Sequence, residues 1–343
     1  MMNPNTSPAA RLSQLLTYNL TQMIYVVAKL GVPDTLSAGP LHIEALAATV
    51  GAHAQSLYRL LRALAGHDVF IEEPARYFAL TPVSELLCSN SPHSLRAFAL
   101  SNGEPWWWSA WGNLLHSVRT SETAFDSVYG MGLFDYLSQH PEDARVFNDR
   151  MTAMTSRVAH AVAAAYDFSN TRILVDIGGG HGVLASALIQ AHPHMTVIVF
   201  DLPSVIEGTR KRLEVAGASD RCNVIGGSFF ESIPTSGDTY ILKDILHDWD
   251  DERAITILKN CRKAMSETDK LLVIERVIQT GNDLTDGKIV DITMLVMTGG
   301  RERTEAEYRR LLEVAGFELE QLIAVDADTC ILTAMPRESS EAG

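Results

Sequence analysis

His247 is the residue whose type and neighbours are best suited to moving a proton. It stands in Asp244-Ile-Leu-His-Asp-Trp-Asp-Asp251, directly after the apolar run Thr239-Tyr-Ile-Leu-Lys243. Imidazole exchanges a proton near neutral pH, and a carboxylate on its far ring nitrogen fixes the tautomer and stabilises the imidazolium that forms. Two carboxylates offer themselves for that role. Glu275 ends the run Leu271-Leu-Val-Ile-Glu, and Glu302 lies in Gly299-Gly-Arg-Glu-Arg-Thr304. A lone histidine among acids serves equally well as a helix cap or a satisfied core residue. The base reading gains weight only from the company His247 keeps.

That company includes a ligand loop. Ile173-Leu-Val-Asp-Ile177 is β-branched and apolar, breaks into Gly178, Gly179, Gly180 and Gly182, and passes into the helical pattern Val183 to Ala191. Strand, glycine turn and helix present a nucleotide-like ligand at a helix N-terminus. Glycine is required where the turn visits φ > 0 and where a Cβ would hold the ligand off the backbone. Gly178, Gly180 and Gly182 make G-x-G-x-G, but the dinucleotide fingerprint wants its third glycine at Val183. Asp201 ends the next strand, where it either accepts from ribose hydroxyls or caps the helix that follows. Ser228 and Phe229 follow a third strand, with Phe229 placed to cover an adenine face.

The elements that must position these residues alternate between strand and helix. Strands are expected at 173–177, 195–200, 223–226, 239–243 and 271–275, with a closing antiparallel pair at 318–325 and 330–334. The fold class is therefore α/β, and the carboxyl ends of a parallel sheet collect the polar residues at one edge. Asp250 or Asp251 caps a helix, and Thr304-Glu-Ala-Glu307 is a capping box. The first half reads as a helix from Leu12 to Leu30, helices at 43–50 and 55–65, a hairpin at 69–71 and 77–80, and helices at 86–100 and 107–118. A long helix follows from Pro141 to Ala165, carrying Phe147, Met151, Met154 and Val158 on one stripe. Helix, turn, helix, hairpin is a winged-helix arrangement. The boundary falls near 160, giving units 1–160 and 161–343.

Composition narrows the function. A formal charge of −14 over 343 residues argues against nucleic acid or an anionic membrane as partner. The wing carries Glu72 and Glu73, so packing or dimerisation explains it better than DNA binding. No apolar run approaches the ~18 residues of a membrane span. Four scattered cysteines without a C-x-x-C suit a reducing cytoplasm and offer no metal site. Phe147, Met151, Trp107, Met294 and Met297 suggest an apolar, plate-shaped pocket for an aromatic acceptor.

Val-Asp-Ile-Gly-Gly-Gly-His-Gly, Phe-Asp-Leu-Pro at 200–203, Gly-Gly-Ser-Phe-Phe at 226–230, Leu-His-Asp-Trp-Asp-Asp-Glu at 246–252 and Gly-Gly-Arg-Glu-Arg-Thr at 299–304 occur in a telling order. Together they resemble the S-adenosylmethionine-dependent O-methyltransferases typified by plant caffeic acid and acetylserotonin enzymes and bacterial tailoring relatives. The resemblance covers nearly the whole chain. It implies a Rossmann-like class I methyltransferase sheet behind a mostly helical, winged-helix dimerisation domain, and hence a homodimer. It implies that Gly178, Gly180, Asp201, Leu202, Ser228, Phe229 and Lys243 hold S-adenosyl-L-methionine. His247 is then the base flanked by Glu275 and Glu302, and Phe147, Met151, Asp248 and Met294 contact the acceptor. Ser228 departs from the aspartate common in plant members, which weakens the contact to the adenine amino group. The expected reaction is methylation of a phenol in secondary metabolism, without a metal. Methyl transfer to nitrogen or carbon, or atypical tailoring on the same scaffold, is the alternative. A ligand-sensing winged-helix regulator is the remote one.

Overall fold

The computed structural model describes residues 7–282 and 285–337. Contacts divide the chain into two compact units, Met1–Trp108 and Ser109–Gly343. The sequence reading drew its line near 160. The difference arises because the helices from Leu114 to Ala165 group by contact with the sheet-bearing half.

The first unit opens with two helices, Pro8–Leu15 and Tyr18–Lys29, where one was expected. The break falls at Leu16 and Thr17, whose ψ values of 38° and 39° leave the helical region. Neither glycine nor proline marks it. Helices Ile43–Val50 and Ala54–Ala65 then pack with a small sheet. Its strands are β1 (Leu41–His42), β2 (Phe70–Glu73) and β3 (Tyr77–Leu80), antiparallel in the order β1-β3-β2. The two-residue β1 is too short to leave a periodic pattern. Leu46, Leu57, Leu61, Leu64, Phe70 and Phe78 close this core. The helix expected over 86–100 is only Arg96–Gly103, because Ser89-Asn-Ser-Pro92 keeps the preceding chain in turns.

The second unit is organised by a seven-stranded sheet. Its strands are β4 (Ile173–Ile177), β5 (Thr196–Asp201), β6 (Cys222–Gly226), β7 (Thr239–Lys243), β8 (Lys270–Arg276), β9 (Phe317–Ala324) and β10 (Thr329–Pro336). The order is β6-β5-β4-β7-β8-β10-β9. The first five are parallel, and β10 runs antiparallel to both β8 and β9. From β4 the chain moves one way to β5 and β6, then returns to β7 and β8 on the other side. The loops after β4 and β7 therefore diverge and open a crevice at the carboxyl ends. The central strands read as continuous apolar runs because both faces are covered. Val175, Leu242 and Val273 join the core on one face, and Leu174, Ile241 and Leu272 the core on the other. Among the described residues no helix is long and apolar enough to cross a membrane.

Candidate active site

The loop after β4 is shaped by backbone demands. Gly178, Gly180 and Gly182 have φ of 69°, 54° and 71°. A Cβ at Gly178 would lie 2.3 Å from Ile245 Cδ1, and one at Gly179 would lie 2.7 Å from Asp176 Oδ2. Nothing lies within 4 Å of the corresponding point at Gly180, so that glycine faces open space. The Gly180 and Leu202 amides donate to the Asp201 carboxylate at 2.8 and 2.6 Å, tying the β5 end to the loop. Each carboxylate oxygen keeps a lone pair for a further donor. Phe229 is half-buried beside Gly178, and its loop is held by Asn260, which donates to the Phe229 and Phe230 carbonyls at 2.9 and 3.0 Å. Ser228 Oγ accepts from the Phe230 amide at 3.3 Å. Lys243 Nζ lies 3.4 Å from Thr155 Oγ1 and pairs with Asp244.

Asp176, absent from the sequence expectations, is buried in β4 with Oδ2 unpartnered. Burial pushes its carboxyl up to about 7, with Lys243 opposing and Asp201 adding to the rise. Burial also raises Asp201 against its two amide bonds. Two buried carboxylates, one with an unpartnered oxygen, beside a glycine cradle fit a nucleoside carrying positive charge, which S-adenosylmethionine does through its sulfonium and ammonium groups.

The loop after β7 builds the other half. Asp244 takes the left-handed conformation, φ 52°, with its amide donating to the Ile274 carbonyl at 3.0 Å. This turn carries the chain into a short 3₁₀ segment, Leu246–Asp248, and turns His247 inward, where it is 5% exposed. His247 Nδ1 lies 2.8 Å from Glu302 Oε1 and 3.6 Å from Glu275 Oε2. Because an ionised Glu302 can only accept, Nδ1 carries the proton and Nε2 is the atom free to take another. Glu275 is held by the Ile245 and Leu246 amides, which donate to Oε1 at 2.9 and 2.8 Å. Glu302 is set by its own amide donating to Asp291 Oδ1 at 2.9 Å. Burial alone would lower the imidazole pKa. The charges of Glu302 and Glu275, the Glu302 hydrogen bond and Asp248 outweigh it and hold His247 well above its ordinary value. Burial pushes Asp248 up to about 6.

Asp244, His247 and Glu275 bring ligand-type atoms within 4.8 Å of one another. Asp244, however, is paired with Lys243 and lies 3.4 Å from Arg276, two fixed cations that oppose a divalent ion.

Two residues past His247, Trp249 belongs to an aromatic wall. Trp249 stacks on Phe134 at 5.5 Å and 29°, and Phe134 meets Phe147 edge to face at 6.2 Å. Phe147 and Met151 are half-buried, one turn apart on the Pro141–Ala165 helix. That helix is fastened to the glycine loop through Thr152 Oγ1 and His181 Nδ1, 3.2 Å apart. Met294 is buried in the Asp286–Met297 helix, where its sulfur accepts from Thr298 Oγ1 at 3.8 Å. Asp248 Oδ1 is 3.9 Å from His247 Nε2. Phe134 and Trp249 were missed because their stacking joins residues more than a hundred positions apart. Asp176 could have been suspected as a charge inside an apolar strand.

Residues 12–90 match the O-methyltransferase dimerisation domain, and residues 111–318 match the O-methyltransferase domain. The chain is 44% identical over 341 residues to a phenazine O-methyltransferase of Lysobacter antibioticus, covering 98% of this chain and 100% of that one. It is 35% identical over 322 residues to an 8-amino-8-demethylriboflavin N,N-dimethyltransferase of Streptomyces davaonensis, covering 92% of each. A crystal structure of an O-methyltransferase from neocarzinostatin biosynthesis, in complex with S-adenosylmethionine and 2-hydroxy-5-methyl naphthoic acid, superposes with a TM-score of 0.84. That chain is 31% identical, and the match covers 95% of this chain and 98% of that one.

Proposed function

The chain belongs to the S-adenosylmethionine-dependent O-methyltransferases that carry an N-terminal dimerisation domain, and on that premise we propose that it methylates a phenolic hydroxyl of a flat aromatic metabolite with His247 as general base. The carrying observation is the buried His247 with Nδ1 on Glu302 and Nε2 left to accept. A phenol with an ordinary pKa near 10 is a poor nucleophile at neutral pH. Nε2 takes the hydroxyl proton as the oxygen attacks, and Glu302 and Glu275 stabilise the imidazolium. When bound, S-adenosylmethionine would supply an electrophilic methyl carbon on a sulfonium, whose loss leaves a neutral thioether. Gly178 and Gly180 would let the backbone approach it, Asp201 and Leu202 would meet its ribose, Ser228 and Phe229 its adenine, and Lys243 would lie near it. Phe147, Met151, Asp248 and Met294 contact the acceptor; the phenazine and naphthoate names of the relatives support a flat, hydroxylated ring system. The enzyme works in the cytoplasm as a homodimer, and the exposed Leu12, Leu15, Leu16 and Tyr18 of the first unit support the dimer.

The N,N-dimethyltransferase relative favours a second reading, transfer to an aromatic amine on the same scaffold. Labelled methyl donor with paired hydroxy and amino acceptors, read by product mass, separates the two. Replacing His247 by Ala should reduce O-methylation about 10²–10⁴-fold and leave cofactor affinity within about twofold. Undiminished turnover would overturn the base assignment.

A further inference from the structure

The loop 299–303 meets the segment 246–251 more closely than two loops ordinarily meet. A Cβ at Gly300 would lie 2.0 Å from the His247 carbonyl oxygen, 2.4 Å from the Asp248 carbonyl carbon and 2.6 Å from the Trp249 nitrogen. All three are backbone atoms, so nothing can rotate aside, and only hydrogen fits at this position. Two residues on, Glu302 reaches His247. The next residue, Arg303, is fully buried. Its Nη1 donates to the Leu246 carbonyl and its Nη2 to the Trp249 carbonyl, both at 2.8 Å. Nε and Nη2 also donate to Asp251 Oδ1 at 3.1 and 2.9 Å. The guanidinium thus holds the carbonyls on either side of the His247–Asp248 pair. The Arg303 backbone is fixed elsewhere. Its carbonyl accepts from the Ile278 amide at 3.1 Å and its chain bridges Val277, just past the strand end that bears Glu275. One residue therefore ties the β7 end that carries the imidazole to the β8 end that carries one of its carboxylates.

We propose that Gly300 and Arg303 are positioning residues that form a clasp, setting the separation of His247 from Glu302 and Glu275 and acting on proton transfer rather than on binding. A rigid planar fork suits this task because one side chain satisfies two carbonyls in fixed geometry. Small displacements matter at a proton-transfer site, where misplacement by about 1 Å can cost on the order of 10²-fold. The charged groups acting on His247 are Asp244 and Asp248 after β7, Glu275 from the β8 end and Glu302 from the clasp loop, while Arg276 and Tyr308 stand beside those carboxylates. Separating the imidazole from Glu302 and Glu275 leaves it less basic.

This inference rests on the base reading of His247, and the test keeps the two apart. Arg303→Met, Arg303→Lys and Gly300→Ala are compared with His247→Ala for kcat, acceptor KM, cofactor affinity and the pH dependence of kcat. Arg303→Met and Gly300→Ala should each lower kcat by about 10²-fold, with KM and cofactor affinity near wild type and the acid limb moved to lower pH. Arg303→Lys should recover part of the rate. Arg303→Lys keeps the charge and part of the hydrogen bonding, so it reports if Arg303→Met or Gly300→Ala fails to fold. A wild-type kcat and acid limb in the folded clasp variants, with His247→Ala inactive, overturns the clasp alone. An equal fall in kcat and cofactor affinity also overturns it, as general loosening. An active His247→Ala removes the base reading and the clasp together.

Discussion

At the end of β4 the chain offers its ligand mainly backbone: glycines at positive φ, amides turned toward Asp201, and a cradle open at Gly180. At the end of β7 it offers mainly side chains, an imidazole encircled by Glu302, Glu275 and Asp248. The first side is built on one continuous stretch, to which Asp201, 21 residues on, is tied by the Gly180 amide. The second is assembled from residues 55 apart in sequence and depends on buried charge. On the proposed reading, ligand holding is a matter of conformational permission, and proton handling a matter of electrostatic confinement. The two should fail differently when disturbed.

The sharpest break comes from Glu302→Gln. Wild-type His247 has a raised pKa, so the neutral base becomes available only as pH climbs, and kcat should rise along an acid limb lying above the ordinary imidazole value near 6.5. The variant should lower that limb to more acidic pH and reduce the plateau by about 10²-fold or more, as stopped assays over a pH series would read. The same shift bears on stability. A histidine whose folded pKa exceeds its unfolded one contributes fully below about 6.5 and loses that contribution as pH rises through the folded value. Urea midpoints should therefore fall on the alkaline side in the wild type and flatten in Glu302→Gln.

Gly180→Ala tests the other region. A Cβ there projects into the open cradle, and the φ of 54° is unfavourable for alanine. Strain of about 1–3 kcal/mol should weaken cofactor binding roughly tenfold in a fluorescence titration and leave the acid limb where it was. A moved limb would mean that the two regions are not separable. The smallest effect belongs to Asp250→Ala. It removes the cap that accepts from the Arg253 amide at 2.8 Å, and should cost about 1 kcal/mol of stability by denaturant melt with the pH profile unmoved.

Legibility in the sequence follows the same division. The strands at Ile173–Ile177 and Thr239–Lys243 have the expected bounds, and the Thr304–Glu307 capping box forms as its spacing implied. Each depends on neighbours within a few residues. Gly300, Arg303 and the left-handed Asp244 were not legible, because a close approach between distant segments leaves no local periodicity. Asp244 passes as an ordinary strand-end acid until its φ is seen, aspartate being tolerant of that region. The Leu16–Thr17 break and β1 escaped for a simpler reason: neither carries a breaker residue or enough length.

β10, the last strand among the described residues, lies inside the sheet between β8 and β9, with Cys330 opposite Glu275. Until residues 329–336 leave the ribosome, β8 keeps a bare edge whose Leu271–Ile274 are fully buried in the finished fold. The growing chain carries an apolar strand paired on its β7 side alone from the time β8 emerges until β10 does. A premature stop before Thr329 should yield an aggregating polypeptide rather than a smaller working enzyme.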